Sequence, residues 1–269
     1  MKPRPMLKYI ATVPFLIPAL AFAQTSSSDL LAKADDDRWT LGLAASMSDS
    51  PYAGEDTRVR PFPLLTFDGD RVFWRGLSGG VHAIKGDTFS LDVIVAGRFD
   101  GFDIEDLGRQ ELARNGIDAS LLDDRDDGLD AGLATSWSGR AGEFKLRALV
   151  DVTDASGGYE VAADYAYALH WGRTTVVPGI GVRWMSDDLV NYYYGTLDEE
   201  IARGVPFYQP GSAVVPQVSI GFSRPLGEKW KLQGSLDYKF LPNEITESPL
   251  IEPDTDGSAR LMIGISRSF

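Results

Sequence analysis

Apolar and polar residues alternate with a period of two along segment after segment of this chain, and this is the pattern of a strand with one apolar face. Phe89, Leu91, Val93 and Val95 interleave with Ser90, Asp92 and Ala96, and Phe144, Leu146, Ala148, Val150 and Val152 with Lys145, Arg147 and Asp151. The same phase runs through Tyr159 to Leu169, Val214 to Phe222 and Trp230 to Phe240. Past residue 23 no run of 18 apolar residues occurs, so helical membrane spans are excluded. Alternation alone does not say which face is buried: a soluble sandwich or lipocalin-like barrel shows it as well as a barrel facing lipid.

The N-terminus bears on that choice. Lys2, Arg4 and Lys8 make a positive region, Tyr9 to Phe22 an apolar one, and Ala21-Phe22-Ala23 a small-x-small cleavage site. Residues 1–23 therefore read as a signal peptide cleaved after Ala23, residues 24–38 as a periplasmic N-terminal segment and 39–269 as the folded body. Pro14 and Pro18 interrupt the apolar stretch, which is too short for a membrane anchor. Loss of residues 1–23 removes three basic and no acidic residues, taking the net charge from −13 to −16. Such a chain repels phosphate backbones, which argues against nucleic-acid binding. Cysteine is absent, so neither a disulfide framework nor a thiolate site can exist and the fold rests on its hydrogen-bond ladder and packing.

The C-terminus favours the membrane. Ala259, Leu261, Ile263 and Ile265 form a stripe ending in Phe269, with Ser258, Arg260, Ser266 and Ser268 in the other phase. A last strand closing on a C-terminal Phe looks like the signal read by the outer-membrane barrel assembly machinery. Arg267 departs from that pattern, but at a strand end a long cationic side chain can snorkel to the interface. Trp39, Phe99, Trp137, Trp171, Trp184, Trp230 and Phe240 fall near strand ends, where interfacial girdles lie.

Loop lengths agree with a barrel in the outer membrane of a Gram-negative bacterium, which has long extracellular loops and short periplasmic turns. Counting back from a periplasmic C-terminus puts 242–257, 187–211 and 100–127 outside. Lys85-Gly86-Asp87, Ser138 to Gly142, Gly172 and Gly227 then fall inside. Candidate strands at 39–47, 57–67 and 72–84 would make the total odd. Pro61 and Pro63 cannot donate to a ladder, so 57–67 reads as a loop or irregular strand. The expected fold is an all-β antiparallel transmembrane barrel of about ten strands. Twelve is the alternative, reached if 57–67 pairs and another segment is divided.

The candidate chemistry is sparse. His82 and His170 are the only histidines, and Asp164 lies six residues from His170, too far along a strand for a hydrogen bond. No Ser-His-Asp geometry follows, and no catalytic, cofactor or metal residues are assigned. The acidic run Asp118 to Asp130 misses the EF-hand spacing, with Arg125 in the third ligand position and Ala134 in place of the bidentate Glu. It reads as a solvated outer loop able to share divalent cations with lipopolysaccharide phosphates. Lys145, Arg147, Glu160, Asp164 and Arg183 occupy polar-phase positions and are expected to neutralise one another across a narrow lumen.

Motifs in loops and strand ends are more specific than alternation. Ser50-Pro51-Tyr52-Ala53-Gly54, Pro61-Phe62-Pro63-Leu64, Gly69 to Gly76, Phe99-Asp100-Gly101-Phe102, Asn191 to Gly195, Arg203 to Tyr208 and Ser248-Pro249-Leu250 resemble the MipA/OmpV family of outer-membrane proteins. The resemblance spans nearly all of the mature chain. It implies a barrel of the MltA-interacting type, a scaffold linking a lytic murein transglycosylase to a penicillin-binding protein. It carries no catalytic residues. A small-solute channel is the alternative, and a lumen or rim hydrolase stands third. For a scaffold, the extended periplasmic segment would be 24–38, with Asp35-Asp36-Asp37.

Overall fold

A computed structural model describes residues 39–269; Ala23 and the segment 24–38 lie outside the described residues. Twelve antiparallel strands close into a ring. They are β1 (Trp39–Ser48), β2 (Arg58–Asp68), β3 (Val72–Arg75), β4 (Ser78–Lys85), β5 (Phe89–Arg98) and β6 (Gly128–Gly139). The ring continues through β7 (Gly142–Asp151), β8 (Tyr159–Ala166, resuming at Leu169–Trp171), β9 (Thr174–Met185), β10 (Ala213–Leu226), β11 (Trp230–Phe240) and β12 (Gly257–Ser268). Closure comes from β1 against β12, in register from Thr40↔Ser268 to Ser48↔Arg260.

The side-chain phases answer the question that alternation leaves open. Along β12 the residues alternate exposed and buried, and the exposed ones are the apolar Leu261, Ile263 and Ile265. Leu43, Val59, Leu133, Ile180 and Leu236 are likewise exposed, while Thr40, Ser136, Lys145 and Ser266 face inward. A sheet that turns its apolar phase outward and its polar phase inward is stable only where the outside is hydrocarbon. The helices of the described residues are eight residues or shorter, and none is long and apolar enough to cross a membrane.

The count is twelve, and the figure of ten is corrected for two reasons. The stretch around Pro61 and Pro63 pairs with β1 along its whole length, from Trp39↔Phe67 to Ser48↔Arg58. The stretch 72–84 is divided by a tight turn at Gly76 and Leu77 into β3 and β4. Because β3 meets only Thr66, Phe67 and Asp68 of β2, the prolines sit on an edge with no ladder beside it and cost no hydrogen bond. A third proline accounts for the break in β8: the Pro178 carbonyl accepts from the Tyr167 amide, and Pro178 has no N–H to return, so the ladder lapses at 167–168.

One end of the barrel carries only short turns, between β2 and β3, β4 and β5, β6 and β7, β8 and β9, and β10 and β11. At the other end the long connections carry four helices, α1 (Arg109–Arg114), α2 (Asp187–Tyr194), α3 (Asp198–Arg203) and α4 (Asn243–Thr246). Short turns on one side and long loops on the other mark the second end as extracellular. The largest apolar core lies there, outside the strand ladder: Leu112, Ile117, Leu189, Val190, Tyr193, Ile245 and Leu250 are all buried in one cluster. Of the aromatic residues expected in the girdles, Trp39, Trp137, Trp171, Trp230 and Phe240 are exposed on the wall, and Trp184 is half-buried with its ring 5.3 Å from that of Tyr159. Phe99 is not among them, because its ring turns inward over Gly97 and borders the lumen.

Candidate functional site: a capped, charged lumen

The loops form a cap because each contributes an apolar strip that cannot be buried alone. Tyr52, from the β1–β2 connection, packs its ring on Phe102 at 4.6 Å and on Tyr194 at 5.9 Å. Its hydroxyl lies 3.2 Å from the carbonyl oxygens of Asp100 and Tyr193, which can accept its proton. Burial pushes the hydroxyls of Tyr52, Tyr193 and Tyr194 up, so they remain neutral donors. The Ala53 amide donates to Leu250 O at 2.9 Å, and Asn115 Nδ2 donates to the carbonyls of Pro249 and Ile251 at 3.0 Å. The motifs at 61–64 and 69–76 lie in β2, β3 and the turns beside β3, whereas those at 50–54, 99–102, 191–195, 203–208 and 248–250 thus meet in one place. Two of their glycines sit at chain crossings: a Cβ on Gly54, whose φ is +69°, would lie 2.5 Å from Gly108 Cα, and one on Gly101 2.2 Å from Arg125 O.

At the centre of the cap Arg125 forks onto Glu200, with Nη1 and Nη2 each 2.8 Å from a carboxylate oxygen and neither side chain exposed at all. Arg125 Nε donates to Tyr192 O and Nη1 to Asp123 O, both at 2.6 Å, while Glu200 also accepts from the amides of Asp123 and Leu197. Every polar atom of the pair thereby finds partners, the condition under which a buried ion pair is tolerated. The acidic run over 118–130 is solvated as expected, with Asp118, Asp124, Asp126 and Asp127 exposed, yet several of its carboxylates also tie the loops together. Asp118 caps the turn at 119–121, Asp123 pairs with Arg203, Asp124 accepts from the Ile104 amide, and Asp127 from that of Gly101. The carboxylates are there to fasten loops. Among the described residues no three His, Asp or Glu side chains converge as a metal site.

Beneath the cap the lumen is crossed by ion pairs. Arg98 reaches Asp130 at 2.5 Å, Glu160 at 3.1 Å and Asp100 at 3.2 Å. Arg183 lies 3.5 Å from the same Glu160, Arg147 lies 3.6 Å from Asp164, and Gln217 Nε2 donates to Asp164 at 2.7 Å. The five polar-phase residues singled out in the sequence, Lys145, Arg147, Glu160, Asp164 and Arg183, all face this interior. Arg98 and Asp130 were missed, although the alternation of β5 and β6 carried to their extracellular ends places both inward.

Asp100 stands where cap meets lumen. Burial alone would raise its carboxyl, but Lys239, Arg98, Arg183 and Arg260 hold it well below the usual carboxylate range. A group with a depressed folded pKa contributes stability that is present above its unfolded value near ~4 and lost as pH falls through the folded value. Protease resistance of the cap should accordingly be flat from pH 8 to pH 5 and fall only in stronger acid. Asp100→Asn should remove part of that acid dependence; a cap that loosens between pH 8 and pH 6 would contradict the assignment.

The histidines do not meet. His82, on β4, stacks on Phe73 at 4.8 Å with Nδ1 2.6 Å from Asp92 and Nε2 3.8 Å from Asp68. His170 is exposed near the turn at Gly172, while Asp164 is engaged by Arg147 and Gln217. Cavities partly open to solvent remain around these groups. The first, of about 840 Å³, is lined by seven basic and four acidic side chains, and the second, of about 930 Å³, by four basic and three acidic. An acidic protein thus encloses a lumen with a local excess of cations.

The model of the family described as MltA-interacting protein MipA matches residues 41–269. The chain belongs to this family. Its relatives include the "Putative outer membrane protein YiaT" of Escherichia coli K12, 30% identical over 89% of this chain and 94% of that one. The "MltA-interacting protein" of the same organism is 29% identical over 86% of this chain and 90% of that one. Among solved structures the chain is similar to the NanC porin, at 9% identity and a TM-score of 0.48, over 85% of this chain and 100% of that one. With family and closed barrel both in hand, this member of the MipA family is an outer-membrane protein.

Proposed function

We propose that the barrel serves as a closed outer-membrane anchor that engages a periplasmic protein, of the kind named for its MltA-interacting relative, and is not an open diffusion pore. The observation that carries this reading is the cap: a packed apolar core pinned by Arg125 and Glu200 stands over a lumen already bridged by Arg98, Asp130, Glu160 and Arg183. The partner class is a lytic murein transglycosylase, with a penicillin-binding protein as a further member of the assembly. The segment 24–38 supplies the contact, since the turns at the periplasmic end are short. Immobilised barrel incubated with periplasmic extract should retain a murein transglycosylase, and a form lacking 24–38 should lose it. Failure of the full-length barrel to retain any murein enzyme would overturn the proposal.

A second reading, selective passage of small anions, is favoured by the excess of basic side chains around both upper cavities. Under a salt gradient, any residual current should then show anion preference. Cation preference would dispose of it.

A further inference from the structure

The β3–β4 hairpin stops short of the rim, and its tip is fixed by two hydrogen bonds: the Gly76 amide donates to Leu65 O at 3.0 Å and the Gly97 amide to Leu77 O at 3.1 Å. Beyond Leu65, residues 58–64 of β2 continue for roughly 20 Å along the strand with β1 on one side and no strand on the other. Above this gap Arg58 Nη2 reaches Gly101 O at 3.3 Å. The strand ladder is therefore interrupted here, and the interruption forms a window in the ladder bounded by β2, the Gly76–Leu77 tip, Gly97–Phe99 and the Arg58–Gly101 contact.

The chemistry of the frame fits hydrocarbon on its outer side. Main-chain groups of alternate strand residues face the same way. Leu65 faces β3 through its carbonyl, so residues 63, 61 and 59 face the window. An N–H left unpaired against lipid costs several kcal/mol; two of these three residues, Pro61 and Pro63, have none. The inner sill is apolar, formed by Phe62, Leu64 and Leu77 with Met262. On the same phase of β2, Arg58 and Arg60 line the second cavity together with Lys239, Arg260 and the acidic Asp49, Asp100 and Asp237. Neither Arg60 nor Lys239 makes a direct hydrogen bond or a close ion pair among the described residues, while Lys239 feels Asp100 and Arg60 feels Asp127 at longer range.

We propose that this window is a lateral portal through which a single hydrocarbon chain bearing an anionic head enters the barrel from the outer leaflet, its tail lying over Phe62, Leu64 and Leu77 and its head meeting Arg60 and Lys239. The inference is independent of the periplasmic partner and of transmembrane conduction, since it requires neither.

The test uses oleate carrying a diazirine on its chain, with the intact barrel in phospholipid nanodiscs, and maps the crosslinks by mass spectrometry. Crosslinks should concentrate on 58–64, 76–77 and 97–99. Arg60→Glu should weaken oleate binding about tenfold and leave oleyl alcohol unaffected, as expected for loss of a charge-assisted contact. Leu77→Trp, filling the sill, should reduce both. Crosslinks spread evenly over outward-facing residues of all strands, as for annular lipid, would overturn the proposal. So would unchanged oleate binding in both variants when each shows the parent's heat-modifiable gel mobility.

Discussion

Glu200→Ala should unseat the extracellular cap while leaving the strand ladder closed. The substitution leaves the Arg125 guanidinium buried without its counter-ion, and removing one partner of a buried ion pair costs about 3–5 kcal/mol. That is a large part of what holds a unit of this size together. The barrel is supported by ladders that do not involve Glu200, so loss should be confined to the cap. Limited proteolysis of intact membranes should cut the variant within 99–127 and 186–212 at protease levels that leave the parent whole. The fraction resisting boiling-dependent unfolding on gels should stay unchanged. Glu200→Gln should fall between the two. Equal protease resistance of variant and parent would mean that the pair does not hold the cap.

Deleting Phe269, or replacing it with Asp, should remove most of the assembled protein from the outer membrane. The ring is 55% exposed on the lipid side of the last strand, and its amide donates to Trp39 O at 3.0 Å, beside the seam where β12 meets β1. It is thus accessible to a recognition factor before closure and part of the joint afterwards. Arg267 lies 5.1 Å from the Phe269 ring and 5.9 Å from that of Trp230, a placement worth about 0.5–1 kcal/mol at an exposed site. Arg267→Ala should therefore reduce assembly only slightly. Quantitative blots of outer-membrane fractions would decide; equal levels of the Phe269 variants and the parent would remove the terminal aromatic from the account.

Period-two alternation located β5, β7, β8, β10, β11 and β12 and the five lumen charges, because pleating by itself sends alternate residues to opposite faces, but it did not single out β6 or β9. It failed where a single residue's meaning depends on a neighbouring strand. Pro61 and Pro63 spoke against a strand until the short β3 left their edge unpaired, and nothing in 57–67 reveals how far β3 will run. Phe99 looked like a girdle residue by its position at a strand end, but Gly97 leaves room for the ring to fold inward. The acidic run is solvated as its composition suggests, but the groups that fasten it, Arg203 and the amides of Gly101 and Ile104, come from segments up to 80 residues away and are not legible in the run itself. The family motifs could be recognised singly, whereas the convergence of those at 50–54, 99–102, 191–195, 203–208 and 248–250 in one cap is a property of the fold.

Single-channel recording of the purified protein in planar bilayers tests closure of the barrel most directly. A cap pinned by Arg125 and Glu200 over a lumen bridged by Arg98 and Glu160 should give no stable, large open state in the parent, and larger currents once Glu200→Ala has released the cap. A stable, large conductance in a parent preparation whose cap still resists protease would contradict it.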